Sequence, residues 1–289
     1  MPELPEVEAL ARAIETHLAG RRIATLELGS LAALKTFEPP LHELEGRTID
    51  RVWRRGKYLV LDAEGIDLVI HLSRAGWLRW RDDMPATPLR PGKGPMALRL
   101  TAVTADGEAA GGFEVTEAGT RKGLAIYVVS NVEDVPRGDS LGPEPLGADF
   151  PIEALQGILT SAGRAQIKGV LRDQSMIAGI GNAYSDEILH IARISPFAPA
   201  DSVDASVLHD SIVTTLSAAS SRALDADMAS LKAEKRDGMR VHGRAGQACP
   251  ECGDTIREVS FADRSLQYCP TCQTEGKILA DRRMSRLLR

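Results

Sequence analysis

Met1-Pro-Glu-Leu-Pro-Glu-Val-Glu8 opens the chain and runs on through Ala-Leu-Ala-Arg-Ala-Ile-Glu-Thr-His-Leu18 to Ala19 and Gly20. Leu4, Val7, Leu10, Ala11, Ile14 and Leu18 recur at three- and four-residue steps, the period of a helix with one apolar face. Proline suits the first turn of a helix, and glycine is the residue type that ends one. Residues 3–19 are therefore predicted as an amphipathic helix. The same prolines admit a chemical reading. Removal of Met1 would leave Pro2 as a secondary amine, and an α-amino pKa of about 7.7–8.0 keeps a fraction neutral near pH 7. Such an amine condenses with an aldehyde to a cationic iminium, an electron sink. Glu3 stands next to it as a proton donor and acceptor. On the octapeptide alone, helix start and nucleophile are both open.

Beyond Gly20 the apolar period changes to two. Arg47-Thr-Ile-Asp-Arg-Val-Trp53, Lys57-Tyr-Leu-Val-Leu61, Asp67-Leu-Val-Ile-His-Leu72, Gly76-Trp-Leu-Arg-Trp80, Ala97-Leu-Arg-Leu100 and Leu124-Ala-Ile-Tyr-Val-Val129 are strand candidates. Turn residues such as Glu64-Gly65 separate them. The stretch 82–95 holds four prolines and reads as a loop. One helix followed by many short strands predicts an α+β domain, a helix on an antiparallel β-sandwich. Residues 136–150, with Pro136, Pro143 and Pro145, form the candidate linker. Residues 151 to about 236 are alanine- and leucine-rich and helical in pattern, and short strands surround the late cysteines. The expected division is 1–135, a linker 136–150, a helical domain 151–240 and a finger 241–289.

Bulk properties narrow the function classes. A length of 289 residues with 43% hydrophobic content supports roughly two domains with real cores. A net charge of −5 does not by itself announce a nucleic-acid binder. The basic residues are clustered, however: seven between Arg51 and Arg81, five between Lys232 and Arg244, five between Lys277 and Arg289. Basic stripes on an acidic body still bind phosphates. The alternative for each run is a solvated face. No apolar run has the length of a membrane span, and no basic-then-apolar leader opens the chain, so no membrane is expected and a cytoplasmic setting is.

The four cysteines follow Cys249-x2-Cys252-x16-Cys269-x2-Cys272. Two such knuckles supply four thiolates in a tetrahedron, the preferred shell of a structural zinc. Four sulfurs close the shell, so the expected Zn2+ is structural, not catalytic. A redox pair is the weaker reading, since thiol chemistry does not need two pairs. Earlier in the chain, Gln166-Ile-Lys-Gly-Val-Leu-Arg-Asp-Gln-Ser-Met-Ile-Ala-Gly-Ile-Gly-Asn-Ala-Tyr-Ser-Asp-Glu-Ile-Leu189 reads as helix, tight turn, helix. Gly179 and Gly181 allow positive φ at the turn. Asn182 then starts the second helix, where outward N–H groups favour an anion. Asn182 and Lys168 are the candidate donors to a phosphate. The plain reading is a helical hairpin with asparagine as a cap.

Pro2-Glu-Leu-Pro-Glu6, Gly179-Ile-Gly-Asn-Ala-Tyr184 and the four-cysteine box, in that order along essentially the whole chain, resemble the formamidopyrimidine-DNA glycosylase/endonuclease VIII family of base-excision repair enzymes. Arg55-Gly-Lys57-Tyr-Leu and His71-Leu also match family motifs. The resemblance implies a β-sandwich with an N-terminal helix, a helix–two-turn–helix domain, a zinc finger, and double-stranded DNA with a damaged base or abasic site as partner. A fold that encloses DNA between its own halves needs no second copy, so a monomer is expected. The resemblance gives Pro2 the attack on C1′ with release of the base and formation of a Schiff base. It gives Glu3 ring opening and proton transfer, and Lys57 general acid and phosphate contact. Elimination would then cut the strand on the 3′ side, and usually on the 5′ side too. Asn182 takes the phosphate-binding asparagine's place, and Arg264 that of the catalytic finger-hairpin arginine that grips phosphate and is linked to the second elimination. His71 is a further DNA-side residue.

The chain departs from the family pattern where the extruded base leaves a void. Arg74, in His71-Leu-Ser-Arg74, stands where an apolar wedge is usual. Thr116-Glu-Ala-Gly-Thr-Arg-Lys-Gly-Leu124 lacks the usual phenylalanine, and Arg121 is its candidate substitute. Leu231-Lys-Ala-Glu-Lys-Arg-Asp-Gly-Met-Arg240 is short and charged where a longer glycine-rich lesion loop is expected. Leu4 points to the formamidopyrimidine branch. Two rival functions follow: a damage- or abasic-DNA-binding protein of this fold with little base excision, and an unrelated zinc-ribbon factor in which Pro2 is dispensable.

Overall fold

The computed structural model describes residues 1–92, 94–119, 121–261 and 265–280. Its contacts form two compact units. The first is Met1–Ser140 with Ala223–Leu231, and the second is Leu141–Arg222 with the chain from Lys232 on. The expected linker is thus split. Residues 141–150 belong to the second unit, where Gly142 N–H donates to the Gln174 carbonyl and Ala178 N–H to the Pro143 carbonyl. A second excursion, Ala223–Leu231, returns to the first unit and had no counterpart in the sequence reading.

In the first unit, α1 spans Leu4–Leu18. Glu3 is its N-cap in a capping box with Glu6, whose carboxylate accepts the Glu3 N–H at 2.8 Å. Two of the orphan N–H groups at the helix start are thereby satisfied. Gly20 adopts φ +75, the left-handed geometry that stops the helix.

Among the described residues eight strands follow: β1 Arg22–Leu28, β2 Ile49–Arg55, β3 Tyr58–Ala63, β4 Ile66–His71, β5 Gly76–Arg81, β6 Met96–Val103, β7 Ala109–Glu117 and β8 Ala125–Val129. They make two antiparallel four-stranded sheets, ordered β1-β6-β7-β5 and β2-β3-β4-β8. Alternation sorts the side chains. Leu59, Leu61, Leu68, Ile70, Ile126 and Val128 enter the main core with Leu98, Leu100, Phe113 and the α1 residues Leu10, Ile14 and Leu18. Their sequence neighbours Val60, Val69, Ala125, Tyr127 and Val129 form a second cluster with Val132 and Val135. Both faces of β3, β4 and β8 are covered, which explains their nearly unbroken apolar runs. Ala223 and Leu231 complete the main core.

In the second unit, the helices are α2 Ile152–Ala162, α3 Ile167–Arg172, α4 Asn182–Ile191, α5 Ala205–Asp225, whose last residues enter the first unit, and α6 Leu231–Gly238. The charged run after Leu231 is therefore a helix, not a loop. Glu234 meets Arg222 at 2.9 Å, and Leu231 is fully buried. The turn between α3 and α4 is stapled by Gln174, whose Nε2 donates to the Arg172 and Ile180 carbonyls while its Oε1 accepts the Gly179 N–H. The finger adds β9 Arg257–Ser260 and β10 Ser265–Tyr268, an antiparallel pair, and α7 Pro270–Gln273. Among the described residues no helix is long and apolar enough to cross a membrane.

Candidate functional site

Pro2 is buried against the start of α1, and Glu3 is 2% exposed. The capping box with Glu6 holds Glu3 at the helix N-terminus, directly after Pro2. The next contributor is a tight turn between β2 and β3. Arg54 ties this turn to α1, donating from Nε to Glu8 at 3.0 Å and from Nη1 to the Gly56 carbonyl at 3.0 Å. Gly56 has φ +56, and Lys57 follows it, 9% exposed. A long ammonium side chain is rarely this buried without partners, so Lys57 is held rather than splayed into solvent.

Tyr58 pairs with His71 across β3 and β4, their rings 5.1 Å apart. Burial first, and then the positive charge of Lys57, pull the His71 imidazole down to about 4. His71 is thus a neutral ring near neutral pH, able to donate or accept a hydrogen bond but not to act as a cation. The turn after β4 puts Ser73 at φ +53 and leaves Arg74 exposed. A Cβ on Gly76 would meet the Leu72 carbonyl oxygen at 2.1 Å, so only glycine closes this turn. Beside it lies the loop after β7. The Glu117 carboxylate accepts the N–H groups of Gly123 and Leu124, and Ala118 N–H donates to the Ala75 carbonyl. Arg121 is exposed on that loop. The structure therefore brings the two expected wedge segments side by side.

In the second unit, Asn182 is the first residue of α4 after Gly181. Its Nδ2 donates to the Ser265 carbonyl on β10 at 2.8 Å, using one of its two hydrogens, and its Oδ1 is buried without a partner. A cavity of ≈ 350 Å³ opens beside it, walled by Phe197, Phe261 and Leu266 and edged by Gln166, Lys168 and Arg172. Lys168, expected as a phosphate donor, meets acceptors within the protein. Its Nζ lies 2.6 Å from Asp186 Oδ1, 2.7 Å from Ser185 Oγ and 3.2 Å from the Asn182 carbonyl. These contacts tie the buried Lys168 side chain to α4. Arg264 lies outside the described residues.

Several contributors had no sequence assignment. Glu187, 3% exposed, accepts the N–H groups of Arg240, Val241 and His242. Burial pushes its carboxyl up, and those three donors pull it back. His242 Nδ1 lies 2.7 Å from Asp186 Oδ2. His190 Nε2 lies 3.2 Å from Cys249 Sγ. Asn182, Asp186 and His190 sit at i, i+4 and i+8, one stripe of a helix. That spacing was the available signal. Their partners in the finger segment, 56 to 83 residues away, had none.

The four Sγ atoms of Cys249, Cys252, Cys269 and Cys272 all lie within 4.8 Å of one another. Cys252 and Cys269 are 3.4 Å apart, and Cys249 and Cys272 are 3.9 Å apart. A tetrahedron of sulfurs about 2.3 Å from zinc has edges of about 3.8 Å, whereas a disulfide needs about 2.05 Å. Burial and the neighbouring sulfurs hold the Cys269 thiol up to about 11 and raise that of Cys272 further. Four thiolates this close require a cation among them, and the donor set fits zinc.

The order of these parts is matched along the chain. The N-terminal domain of formamidopyrimidine-DNA glycosylase matches residues 1–121, the H2TH domain of the same enzyme matches 141–232, and the zinc finger found in FPG and IleRS matches 246–274. Formamidopyrimidine-DNA glycosylase of Desulforamulus reducens is 34% identical over 293 residues, covering 94% of this chain and 99% of that protein. The chain belongs to the formamidopyrimidine-DNA glycosylase family. Its finger accordingly holds one structural zinc. A formamidopyrimidine-DNA glycosylase-like protein of Mycobacterium tuberculosis is 55% identical over 157 residues, which is 53% of this chain and 98% of that one. Among solved structures, Lactococcus lactis formamidopyrimidine-DNA glycosylase bound non-covalently to DNA with an abasic site aligns with a TM-score of 0.78 at 29% identity. That alignment covers 94% of this chain and 99% of that one.

Proposed function

We propose that this chain is a base-excision DNA glycosylase with abasic-site lyase activity, acting through the Pro2 nitrogen once Met1 is removed. The observation that carries the reading is the buried Pro2-Glu3 pair, locked by a capping box at the start of α1 in a chain of this family. The N-terminal amine freed by loss of Met1 would attack C1′ of a nucleotide extruded from the duplex. The glycosidic electrons leave with the base, which takes up a proton. The nitrogen then loses its own proton as the sugar ring opens to the iminium. Glu3 is the nearest carboxyl in sequence to accept and return protons. Loss of a C2′ proton to a base leaves its electron pair in the iminium sink as an enamine, and return of that pair breaks the C3′–O bond, expelling the 3′ phosphate and cutting the strand.

Extrusion costs a few kcal/mol, so flanking phosphates must be gripped. Lys57 in the first unit and Asn182 in the second supply donors suited to phosphate, contacts that position DNA without reading its sequence. His71, neutral by burial, supplies a hydrogen bond or a ring face rather than charge. Arg74 and Arg121 occupy the loops that would face the emptied stack. An arginine can lie over a base as well as reach a phosphate, but it fills an apolar void less well than methionine or phenylalanine. That substitution favours a second reading, an abasic-site lyase with little base excision.

The test is borohydride trapping of the Met1-free protein on two duplexes, one with an abasic site and one with an oxidised purine, with Pro2→Gly in parallel. An adduct mapped to the Pro2 nitrogen on both duplexes supports the full reading. An adduct on the abasic duplex alone selects the second reading. Binding without any adduct overturns the lyase mechanism.

A further inference from the structure

The polar stripe of α4 ends at the zinc finger. Its first residue, Asn182, holds Ser265 of β10; its second, Asp186, holds His242; its third, His190, reaches Cys249. His190 is 1% exposed and Cys249 is 3% exposed, so no bulk water competes for the contact. The other ring nitrogen, Nδ1, is buried with no hydrogen-bond partner.

That asymmetry fixes the tautomer. With the proton on Nδ1, a buried N–H would lack an acceptor, at a cost of about 1–3 kcal/mol, and the Nε2 lone pair would face a sulfur lone pair. With the proton on Nε2, the donor faces a thiolate and the bare Nδ1 lone pair is the lesser loss. A zinc bound by four thiolates carries net charge −2. An N–H aimed at one sulfur disperses part of that charge without occupying a coordination position, and the four sulfurs already close the shell.

We propose that His190 is a positioning residue of the zinc centre: its Nε2–H donates to the Cys249 thiolate and fastens the first cysteine knuckle to α4. The contact acts through Cys249 on the metal. Because Asn182 and His190 lie two turns apart on one stripe, it also fixes the finger's register along the helix, keeping Ser265 against Asn182. Hydrogen-bond partners around a metal typically account for about 10–100-fold in metal affinity.

The primary test needs no variant. In ¹⁵N-histidine-labelled protein, long-range nitrogen–proton correlation should show His190 protonated at Nε2. With ¹¹³Cd in place of zinc, that proton should couple weakly to cadmium across the sulfur. An Nδ1–H tautomer, or a large direct nitrogen–cadmium coupling that makes His190 a ligand, would overturn the proposal. The second test compares zinc affinity by competition with a chromophoric chelator. His190→Phe keeps the ring and drops the donor, and should weaken zinc at least tenfold. His190→Gln can place its amide nitrogen near the Nε2 position, and should recover most of that loss. Equal affinity in the wild type and His190→Phe refutes the role. Equal weakening in both variants assigns the residue to packing alone and refutes it as well.

Discussion

Replacing Lys168 with methionine separates a brace from a phosphate ligand. In the structure Lys168 is 6% exposed and its ammonium faces Asp186, Ser185 and the Asn182 carbonyl. Removing one partner of a buried ion pair strands the other, at a typical cost of about 3–5 kcal/mol. Asp186 keeps His242 Nδ1 at 2.7 Å, which places the expected loss near the lower bound, about 3 kcal/mol. For a unit of this size that is a fall of roughly 6–12 °C in melting temperature. Trp53, Trp77 and Trp80 all lie in the first unit, so tryptophan fluorescence reports the wrong part of the molecule. Amide hydrogen exchange along α4 is the direct assay, and Lys168→Met should accelerate exchange there. Lys168→Met/Asp186→Asn should recover part of the stability, because the stranded charge is gone. DNA binding supplies the decisive contrast. Each phosphate contact contributes about 0.9 to the slope of log K against log salt. A brace leaves the slope unchanged once binding is measured well below the melting temperature. A slope reduced by about 0.9, with α4 exchange unaltered, would refute the structural assignment and restore Lys168 as a phosphate ligand.

Asp67 is buried beside Asp62 on the outer face of its sheet, and burial, reinforced by Asp62, pushes its carboxyl up to about 6. The folded form holds its proton more tightly than the unfolded chain, so stability drops as pH rises from about 4 to 6. Asp67→Asn should be more stable than the wild type by about 1–2 kcal/mol at pH 7–8, after discounting for solvent screening. The gain should vanish below pH 4 in urea titrations followed by tryptophan fluorescence. His71 has the opposite sign. Its folded value of about 4 lies below the ordinary 6.5, so stability falls as pH drops through that window. Its ring protons should titrate by NMR with a midpoint near 4, and a midpoint near 6.5 would remove the buried-neutral assignment. Zinc removal by a strong chelator should raise amide exchange across β9 and β10 and loosen α4 at its His190 end. Exchange in α1 and the β-sandwich should be unchanged.

Much of the fold was legible because it depends on local period. Leu4 to Leu18 at helical spacing, Gly20 at positive φ and the alternating strands appear where the residues placed them. The zinc site was legible because ligand spacing within a knuckle is a local property. β1 and β7 were not among the strand candidates, and in β7 Gly111-Gly112 interrupts the apolar alternation. The reason for Gly112 lies in another strand: a Cβ there would meet the Leu100 carbonyl oxygen at 2.0 Å. The return of Ala223–Leu231 to the first core has no local signature either, since only its destination makes Leu231 a core residue. Lys168 shows the limit most clearly. Its place before the turn suggested a phosphate donor, while its actual acceptors sit up to 18 residues on, across the hairpin.

The finger's attachment follows from how little it can bury. Its clusters are small, Val241 and Ile256 around two cysteines and Val259, Leu266 and Tyr268 beyond. Apolar contacts of that size are non-directional and would let a small element slide on a helix. Buried polar contacts do not slide, because a displacement of one residue leaves donors and acceptors stranded at high cost. Glu187 grips three successive N–H groups, Asp186 grips His242, Gln273 Nε2 donates to the Ile194 carbonyl, and Asn182 grips Ser265. Each contact alone contributes modestly to net stability, but together they permit one register. On the proposed reading, in which the Asn182 amide meets a phosphate, that register matters more than extra stability. The zinc makes the arrangement possible, since without it the segment carrying His242, Ser265 and Gln273 has too small a core to hold its own shape.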